Sequence, residues 1–356
     1  MFLSHMHCKM NYPDVLLIFR KSHPNGNFSI EASFAAMLAE FSRVSGYNPT
    51  VLEAPHRSKG LWPRIQTALD VRRHRHQINH ITGDVHFVTL ALPRKGTILT
   101  VHDCGFMNHP KPLMRWLLWF FWLKLPMYRS EVVTAVSEAT KQDLIKYTGC
   151  SPAKIRVIPT VIKTHFKANP RPFSALGVRI LHIGTAPNKN LLRHIEALEG
   201  INCTLNIIGK LSEEVLAKLA KHRITYINEW NLSDDEVQAA YHECDMLLFA
   251  STLEGFGMPI LEAQTVGRPV VTSNISSMPE VAGNAACLVD PYSVELIRAG
   301  VLRVIEDAEY RTNLINAGFE NTQRFKAETV ARAYAELYAE LTDHTWSMAP
   351  QLAKNA

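Results

Sequence analysis

The stretch that decides the fold runs from Asp245 to Ala263 and reads DMLLFASTLEGFGMPILEA. After Asp245, residues 246–250 form an apolar run of strand length, and residues 260–266 have the pattern of a helix. Gly255 and Gly257 mark the turn between them, where the backbone bends sharply or comes close to another group. Pro259 suits the first helical turn because it has no N–H to lose there. The stretch therefore predicts a strand, a glycine turn and a helix whose N-terminus attracts phosphate.

Two glutamates, Glu254 and Glu262, bracket this turn. If most of the span between them is helical, a rise of ~1.5 Å per residue separates them by roughly 10–12 Å. That separation exceeds the about 5–9.5 Å between the paired carboxyl groups of a glycosidase. It suits two groups that hold opposite ends of one extended ligand, with a diphosphate at the helix N-terminus between them. The alternative is a turn glutamate and a solvated helix glutamate with no shared role.

The same residues resemble the signature of the retaining glycosyltransferases of family four, E-x7-E. That signature is usually seen as EGFG-x-P-x-LEA followed by G-x-PVV. This chain has EGFGMPILEA at 254–263, GRPVV at 267–271 and SSMPEVAG, in the same style, at 276–283. The resemblance covers most of residues 178–342 and is weaker in residues 1–170. It implies an α/β protein of the GT-B fold, with two Rossmann-like domains facing across a cleft.

The length of 356 residues suits two domains, and 47 % hydrophobic with 20 % charged residues indicates a folded globular protein. We predict an N-terminal Rossmann-like, acceptor-side domain at 1–168 and a donor domain at 169–325 that binds a nucleotide-sugar. Residues 326–356 are predicted to form a C-terminal helix, which in the family crosses back to the first domain, and a frayed tail.

The net charge of +5 and the pI of about 8.8 are consistent with an anionic nucleotide-sugar or an anionic membrane surface as partner. No zinc-finger, RNP or basic-helix pattern indicates nucleic acid. The six cysteines are scattered through apolar contexts, which is typical of reduced core residues. Residues 1–12 lack the apolar core of a signal peptide. We therefore expect a cytoplasmic protein, with peripheral contact at the inner face of the membrane left open.

Residues 113–127 are aromatic and apolar on nearly all sides, but they are fewer than the roughly 20 that a membrane helix needs. Arg115 and Lys124 also interrupt the run. Two interpretations stay open: a helix packed in the N-terminal domain, or a helix that lies partly in a bilayer interface. Tryptophan and basic residues favour the headgroup level of such an interface.

The resemblance implies a role for five residues. His102, after the strand at 96–101, follows the family's T-x-HD pattern and would contact the sugar, and Asp103 would orient its ring. Lys189 would hold the donor diphosphate from an exposed position. Glu254 would lie beside the sugar, and Glu262 would accept hydrogen bonds from the ribose. Outside the family context, a histidine at a strand end is more often structural.

Other candidates flank these positions. The resemblance assigns donor binding also to Gly184, Thr185, Asn190, Gly255, Phe256, Gly257 and Met258. Many relatives carry an arginine where this chain has Thr185 or Asn188, so one phosphate contact is either missing or supplied elsewhere. Loops at the carboxyl ends of parallel strands form the binding crevice of such sheets. The loop after the first strand therefore gives the acceptor-side candidates Arg20, Lys21, Asn25 and Gly26, together with Asp103; a solvated loop is the alternative.

The resemblance implies that a sugar moves from a nucleotide-diphosphate sugar to a saccharide or lipid-linked saccharide during polysaccharide biosynthesis. The resemblance implies that the anomeric carbon keeps its configuration, and no carboxylate is evidently placed as a covalent nucleophile. This favours departure of the diphosphate and attack of the acceptor on the same face of the sugar. No D-x-D motif in the required context indicates a metal, so we expect no metal and no other cofactor. Two alternatives stay open: a GT-B nucleotide-sugar epimerase or hydrolase, and a non-catalytic subunit that binds the nucleotide-sugar. The reduced number of basic residues near Lys189 favours the second, and the intact glutamate pair opposes it.

Overall fold

The computed structural model describes residues 13–21, 29–174 and 176–342, in which parallel strands alternate with helices. The strands of this part are β1 (Val15–Phe19), β2 (Thr50–Glu53), β3 (Ile78–Ile81), β4 (Thr97–Val101), β5 (Val132–Ala135), β6 (Ile155–Val157), β7 (Val178–Ile183), β8 (Cys203–Ile208), β9 (Thr225–Glu229), β10 (Met246–Phe249), β11 (Val270–Ser273) and β12 (Cys287–Val289).

The α-helices of the same part are α1 (Ser29–Ser45), α2 (Leu61–Arg73), α3 (Pro112–Leu118), α4 (Leu125–Arg129), α5 (Glu138–Thr148), α6 (Leu191–Ala197), α7 (Glu213–Lys221), α8 (Asp234–Glu243), α9 (Met258–Val266), α10 (Met278–Ala282), α11 (Val294–Glu306), α12 (Ala308–Thr322) and α13 (Ala327–Leu341). Short 3-10 helices lie at His86–Ala91, Gly105–Asn108, Pro152–Lys154, Pro187–Lys189 and Gln323–Phe325, and a π-helix lies at Trp119–Lys124.

The strands form two parallel six-stranded sheets, which confirms the predicted α/β fold with two Rossmann-like sheets. Their strand orders are β2-β1-β3-β4-β5-β6 and β12-β11-β10-β7-β8-β9. In the second sheet the chain leaves β7 toward β8 and β9, then returns to place β10 on the other side of β7. Leu181 of β7 lies opposite Asn206 of β8 and Leu247 of β10. The loops after β7 and β10 therefore meet where the strand order reverses, the usual ligand position in open α/β sheets.

The predicted strand and helix around the glycine turn are confirmed. All four residues of β10 are buried, as expected for a parallel strand covered on both faces. Helix α9 begins at Met258, two residues before the predicted start, because Gly257 adopts φ 108° and precedes it as N-cap. The helix ends at Gly267, whose φ of 86° is left-handed.

The chain divides into two compact units. The first comprises the described parts of 1–101, 116–134 and 328–356, and the second comprises 102–115 and 135–327. Residues 102–115 and 135–168, which the sequence predicts in the N-terminal domain, cluster with the second unit. The predicted domain boundaries stay a prediction.

Within the first unit, helix α13 packs its tyrosines onto the sheet and α1. The ring of Tyr334 lies 5.8 Å from that of Phe34, and the ring of Tyr338 lies 5.8 Å from that of Phe41. The Tyr338 hydroxyl is 2.7 Å from Nδ1 of His80 on β3, whose Nε2 is 2.6 Å from the Thr100 hydroxyl. The polar groups of this buried cluster are therefore hydrogen-bonded.

Within the second unit, apolar side chains cover both faces of the sheet. One buried cluster joins β7, β8 and β12 to α6, α7 and α11, and the other joins β10 and β11 to α8, α9 and α10. The loops at the carboxyl edge are thus carried on strands whose side chains are fixed by packing on either side. The five cysteines of the described residues form no disulfide bond, and all except Cys150 are buried.

Residues 113–127 do not form one regular helix. Helix α3 gives way to a π-helix at Trp119–Lys124 before α4 begins, so the side chains do not advance by 100° per residue throughout. Leu123 and Met127 are buried, whereas Trp116 is 52 % and Phe121 50 % exposed. The buried residues agree with a packed helix, and contact of the exposed residues with a bilayer stays a prediction. In the part of the chain that the structure describes, no helix combines the length and apolarity needed to cross a membrane.

Candidate active site

The loops after β7 and β10 are joined by direct hydrogen bonds at the switch point of the second sheet. Lys189 Nζ lies 2.7 Å from Glu254 Oε1, so the structure brings these two predicted site residues into an ion pair. Asn188 Nδ2 donates to the Leu253 carbonyl at 2.9 Å, and the Thr252 N–H donates to the Asn188 carbonyl at 2.8 Å. The two loops are therefore held to each other by backbone and side chain.

The Lys189 side chain is only 21 % exposed and the Glu254 side chain 13 %, so the prediction of an exposed lysine is wrong. The ammonium also lies 4.8 Å from the centre of the Phe249 ring. Gly184 has φ 89°, and a Cβ there would lie 3.0 Å from the Lys189 side chain. The aliphatic part of the Lys189 side chain thus lies against the backbone of Gly184. A larger residue at position 184 would displace the lysine side chain. The cation is consequently held in one position.

Gly255 lies against the residue that follows β4. A Cβ on Gly255 would lie 2.0 Å from the His102 carbonyl oxygen and 2.8 Å from Asp103 Cβ. The Gly255 carbonyl accepts hydrogen bonds from the hydroxyls of Ser137, at 2.7 Å, and Thr140, at 3.1 Å. The glycine is therefore required by a close backbone approach. The structure places His102 beside the turn that carries Glu254.

Two serines fix the turn from the other side. The Glu254 carbonyl accepts from the Ser276 hydroxyl at 2.8 Å and from the Ser277 hydroxyl at 3.1 Å. Ser277 also donates to the Phe256 carbonyl at 2.7 Å. The Phe256 ring is buried against Phe325, so this predicted donor-binding residue contributes its side chain to the core. The serines lie in the stretch 276–283 that resembles the family, but the sequence assigned them no role.

Glu262 lies on α9 and is only 7 % exposed, which excludes a solvated helix glutamate. Its Oε2 accepts a hydrogen bond from the Tyr241 hydroxyl at 2.8 Å. Burial raises the pKa of Glu262, while the Tyr241 bond and the charge of Lys163 act in the opposite direction. Burial, together with the nearby Glu262, raises the pKa of Tyr241 well above its ordinary value, so the tyrosine keeps its proton and donates. Sequence reasoning missed Tyr241, which has no signal beyond its position on α8.

The side chains of two other donor candidates donate hydrogen bonds to backbone carbonyls. Asn190 is buried at φ 63°, and its amide donates to the carbonyls of Ala250 at 2.9 Å and Pro291 at 2.7 Å. The Thr185 hydroxyl donates to the Lys210 carbonyl at 2.9 Å. These residues shape the loop that presents Lys189. Gly257 and Met258, also predicted for donor binding, form the start of α9.

A buried pair of histidines lies behind the two loops. His182 Nε2 is 2.7 Å from the Gly184 carbonyl, and His182 Nδ1 is 3.1 Å from His194 Nδ1. His194 Nε2 is 3.4 Å from the Ala250 carbonyl. Burial lowers the pKa of His182 to about 4 and that of His194 well below 6.5, so both are neutral near pH 7.

The ring nitrogens of this pair face two carbonyls and each other. A carbonyl oxygen only accepts, so a proton on His182 Nε2 is donated to Gly184 and a proton on His194 Nε2 is donated to Ala250. The tautomers of the two rings decide which Nδ1 donates across the 3.1 Å contact between them. The pair therefore joins the end of β7 to helix α6. Sequence reasoning did not single out either histidine, because the pairing joins a strand to a helix.

In the first unit, the acceptor-side candidates Arg20 and Lys21 follow β1 at the carboxyl edge of the sheet. Arg20 Nε lies 2.6 Å from Glu31 Oε1, and its Nη1 also contacts Asp84. Lys21 Nζ lies 3.4 Å from Glu53 Oε1, with both side chains 45 % exposed. The basic charge of this edge is thus accompanied by carboxylates from α1, β2 and the loop after β3.

The remaining predicted acceptor residues have different outcomes. Asn25 and Gly26 lie outside the described residues. Asp103 is exposed, and its Oδ1 accepts a hydrogen bond from the Gly105 N–H at 2.7 Å, which shapes the loop after β4. Its predicted action on the His102 ring stays a prediction. Among residues 13–21, 29–174 and 176–342, no group of three or more His, Cys, Asp or Glu side chains has the arrangement of a metal site.

Two family models match the chain. The model described as "Glycosyltransferase Family 4" matches residues 29–166, and that of "Glycosyl transferases group 1" matches residues 179–321. Among curated proteins, the chain is 27 % identical over 297 residues to O-antigen chain mannosyltransferase B of Escherichia coli, covering 75 % of each chain. It is 30 % identical over 216 residues to O-antigen chain mannosyltransferase RfbU of Salmonella typhimurium, covering 57 % of this chain and 59 % of that protein.

Solved structures have the same fold. A glycosyltransferase from Rickettsia africae matches with a TM-score of 0.72 at 16 % identity, over 94 % of this chain and all of that one. The Anabaena protein HepE in complex with UDP and glucose matches with a TM-score of 0.70 at 16 % identity, over 92 % of this chain and all of that one. WaaG, a glycosyltransferase involved in lipopolysaccharide biosynthesis, matches with a TM-score of 0.66 at 13 % identity, over 91 % of this chain and 99 % of that one.

Proposed function

The chain belongs to glycosyltransferase family 4, and we propose that it transfers a sugar from a nucleotide-diphosphate sugar, with retention, to a saccharide or lipid-linked saccharide. It is a glycosyltransferase of polysaccharide biosynthesis, as its O-antigen relatives are. Six relatives are named mannosyltransferases, so we infer nucleotide-activated mannose as the first donor to test. UDP and UDP-sugar bind to a protein of the same fold, which keeps a uridine nucleotide in the same screen.

One observation carries this proposal: Lys189 and Glu254 meet at 2.7 Å where the strand order of the second sheet reverses. Ligands of open α/β sheets bind outside the carboxyl ends of the strands at this point. The turn that carries Glu254 also leads into α9, whose N-terminus has a partial positive charge. A cation, a helix N-terminus and a carboxylate together suit a diphosphate attached to a neutral sugar.

In the proposed reaction the bond between the anomeric carbon and the diphosphate breaks, and its electron pair leaves with the diphosphate. Lys189 and the N-terminus of α9 stabilise the negative charge that develops there. The acceptor hydroxyl bonds to the anomeric carbon on the face that the diphosphate leaves, and its proton passes to a diphosphate oxygen. Glu254 exchanges part of its contact with Lys189 for the sugar. His102, beside the Gly255 turn, contacts the same sugar.

Glu262 is proposed to hold the ribose of the donor. It is ionisable, and its Oε2 is already oriented by Tyr241, so its carboxylate position is defined before the donor binds. A carboxylate that accepts hydrogen bonds from a cis-diol gains charge-assisted bonds, which are about twice as strong as neutral ones. The Tyr241 hydroxyl thereby acts as a positioning group for Glu262.

Transfer is proposed to need no metal, because Lys189 and the helix N-terminus supply the positive charge at the diphosphate. Turnover that persists after chelation with EDTA would support this, and turnover restored only by adding Mg²⁺ or Mn²⁺ would contradict it.

We propose a cytoplasmic protein in contact with the inner face of the membrane through residues 113–127. Support comes from Trp116 and Phe121, which are about half exposed, and from the exposed Lys124. Aromatic and basic side chains together favour the headgroup region. Replacing Trp116 and Phe121 by serine should lower co-sedimentation with anionic vesicles. Binding equal to that of the parent would rule out contact through these residues.

The test of function is a donor screen by thermal shift, followed by transfer assays with the donor that stabilises the protein most. Glu262→Gln should weaken binding of that donor about 10- to 150-fold, which corresponds to roughly 1.5–3 kcal/mol for a lost charged hydrogen bond. Glu243→Gln, on the exposed end of α8, is the matched control and should bind as the parent does. Unchanged donor affinity in Glu262→Gln would remove Glu262 from the site.

The same assays distinguish the two alternatives. An epimerase or hydrolase would convert the donor without acceptor, and a non-catalytic subunit would bind the donor without turnover. NMR of the product would show the configuration of the new anomeric centre, and inversion would contradict the proposed retention.

A further inference from the structure

Strand β9 lies at one edge of the second sheet, and its side chains are exposed on both faces. Thr225 is exposed, Tyr226 is 41 % exposed and Ile227 is 47 % exposed. Because successive side chains of a strand point to opposite faces, solvent reaches this part of β9 on both sides. A strand of a parallel sheet is ordinarily buried on both faces. β9 therefore presents an uncovered surface that contains an aromatic and a β-branched apolar side chain.

The other three sheet edges carry features that oppose pairing with a further strand. Proteins protect edge strands by shortening them or by placing proline or lysine at them. Strands β2, β6 and β12 have three or four residues, and a proline lies within two residues of each. β9 has five residues, with no proline in residues 188–258 and no lysine in residues 222–229. β9 is therefore the edge that is best suited to pair with another strand.

The backbone groups at the outer edge of β9 belong to alternate residues. The Glu229 carbonyl accepts a hydrogen bond from the N–H of Gly209, which follows β8. In a parallel ladder, alternate residues direct their N–H and carbonyl groups to the same neighbour, so Ile227 also faces β8. The N–H and carbonyl groups of Tyr226 and Asn228 therefore point away from the sheet. Edge groups of this kind are a template for pairing with another chain.

A second copy of the chain can pair with this edge in antiparallel orientation about a two-fold axis. Residues whose backbone groups face the partner then lie directly opposite each other in hydrogen-bonded pairs. The outward-facing residues allow the axis at three positions, which are Thr225, Tyr226 and Ile227. The charges on either side of β9 distinguish between these three registers.

Opposite charges flank Tyr226 at equal distances along the chain. Arg223 lies three residues before it and Glu229 three residues after it, so an axis at Tyr226 places Arg223 of each copy opposite Glu229 of the other. An axis one residue later places Glu229 opposite an uncharged residue, and an axis one residue earlier places it opposite Lys221, which is still within α7. The side chains of Arg223 and Glu229 form no ion pair within the described residues, so both charges are available to a partner.

We propose that β9 pairs in antiparallel orientation with β9 of a second copy of this chain, with the two-fold axis at Tyr226. The exposed Thr225 of each copy then lies opposite the exposed Ile227 of the other, a cross-strand pair of β-branched side chains. Arg223 adopts φ 53° just before the strand, so its long side chain makes the contact with Glu229. Because the strands are antiparallel, the loops after β7 and β10 of the two copies lie at opposite ends of the joined sheet. The proposal does not depend on the proposed reaction.

An extended segment of another protein is the competing occupant of this edge. Backbone hydrogen bonds alone would accept either occupant, because they carry no side-chain information. The charges favour a second copy, since a basic and an acidic residue at equal distances from Tyr226 make the edge complementary to itself. Complementary charges also fix the register and disfavour other partners.

The test is sedimentation velocity of the full chain over a range of protein concentrations. The contact is small, so we expect a dimer that dissociates on dilution. In Arg223→Glu the contact holds only carboxylates, and in Glu229→Arg it holds only guanidinium groups. Each variant alone should self-associate at least about tenfold more weakly than the parent, because the cross-strand charge pairs become repulsive. An equimolar mixture of the two should dimerise as the parent does, since each contact again joins opposite charges.

The matched control is Lys221→Glu, which reverses an exposed charge two residues before Arg223 and outside the proposed register. It should self-associate as the parent does. Recovery of the dimer in the mixture shows that both charge variants are folded, and circular dichroism verifies this for each alone. Hydrogen exchange gives a second measurement: the amides of Tyr226 and Asn228 should exchange more slowly as the concentration of the parent rises, but not in Arg223→Glu.

Four results would overturn the proposal. A parent that stays monomeric at the highest attainable concentration would leave this edge to another protein. Parent-like self-association by both charge variants would place the dimer contact elsewhere. A mixture of the two variants that stays monomeric would refute the contact between Arg223 and Glu229. Weaker self-association in Lys221→Glu, with no change in Arg223→Glu, would move the axis to Thr225 and contradict the register.

Discussion

The buried pair of His182 and His194 makes the second unit sensitive to acid in a predictable direction. His182 has a pKa of about 4 in the folded protein, against about 6.5 for an unfolded histidine. Because the folded value is the lower one, the unfolded chain binds more protons between these two pH values. The stabilisation is complete above pH ~6.5 and is lost as the pH falls toward ~4.

The size of the effect follows from the same two values. At about pH 5, a group with pKa about 4 when folded and about 6.5 when unfolded lowers the free energy of unfolding by about 2 kcal/mol relative to pH ~7.5. Solvent does not screen this group, because His182 is fully buried. His194, whose pKa is also lowered by burial, adds to the loss in the same direction.

The measurement is urea unfolding of the parent and of His182→Gln at about pH 7.5 and pH 5. Glutamine can still donate to the Gly184 carbonyl but does not titrate. We therefore expect the variant to be less stable at pH ~7.5 but to lose about 2 kcal/mol less on acidification. The control His56→Gln removes an exposed histidine and should show the pH dependence of the parent. Equal pH dependence in the parent and His182→Gln would refute the assignment of a neutral buried pair.

Three other predictions concern the donor loops. Lys189→Ala should abolish most turnover and also lower the melting temperature, because it leaves the mostly buried Glu254 carboxylate without its cation. A double-mutant cycle with Glu254→Gln should show a coupling of about 0.5–3 kcal/mol, and additive effects would refute the pair. Gly255→Ala should lower both stability and turnover, since its Cβ would lie 2.0 Å from the His102 carbonyl oxygen; thermal unfolding equal to that of the parent would contradict this contact. Tyr241→Phe should weaken donor binding less than Glu262→Gln does, because the carboxylate remains and only its orientation is released, and isothermal titration with the donor would show the order.

The local sequence was sufficient to predict the strand, turn and helix around Glu254. An apolar run ends at Ala250, two glycines follow, and Pro259 suits only the start of a helix, so each position is compatible with few backbone conformations. The structure confirms β10 and α9 with small shifts at their ends. Helices α11 and α12 are marked in a similar way, because the capping residues Ser293 and Asp307 precede them.

The environment of Lys189 could not be predicted in this way. Its partner Glu254 lies 65 positions away in the sequence, and the two meet only because β7 and β10 become neighbours in the sheet. The sequence marked both as site residues but gave no reason to pair them, so it suggested an exposed lysine. The same reason explains why Tyr241 and the His182–His194 pair were missed.

The local structure of residues 113–127 could not be predicted for a different reason. Periodicity arguments assume a constant turn of 100° per residue, and the π-helix at Trp119–Lys124 breaks that assumption. Spacing alone therefore does not show which side of this segment each tryptophan occupies. Helix α2 shows the complementary case, because its period is regular but its apolar side faces outward.

The Lys189–Glu254 pair has a further consequence for how the proposed donor enters. In the free protein the carboxylate neutralises the ammonium at 2.7 Å, and Phe249 and Gly184 hold the lysine stem. The cation therefore needs little reorganisation when a diphosphate arrives, because Glu254 already occupies the place of an anion beside it. The hydrogen bonds of the Gly255 carbonyl to Ser137 and Thr140 keep the backbone of the turn in place during this exchange. A site whose charges and dipoles are already in position stabilises the negative charge of a leaving group without the free-energy cost of reorienting them. The many hydrogen bonds within this short turn hold the site in that arrangement.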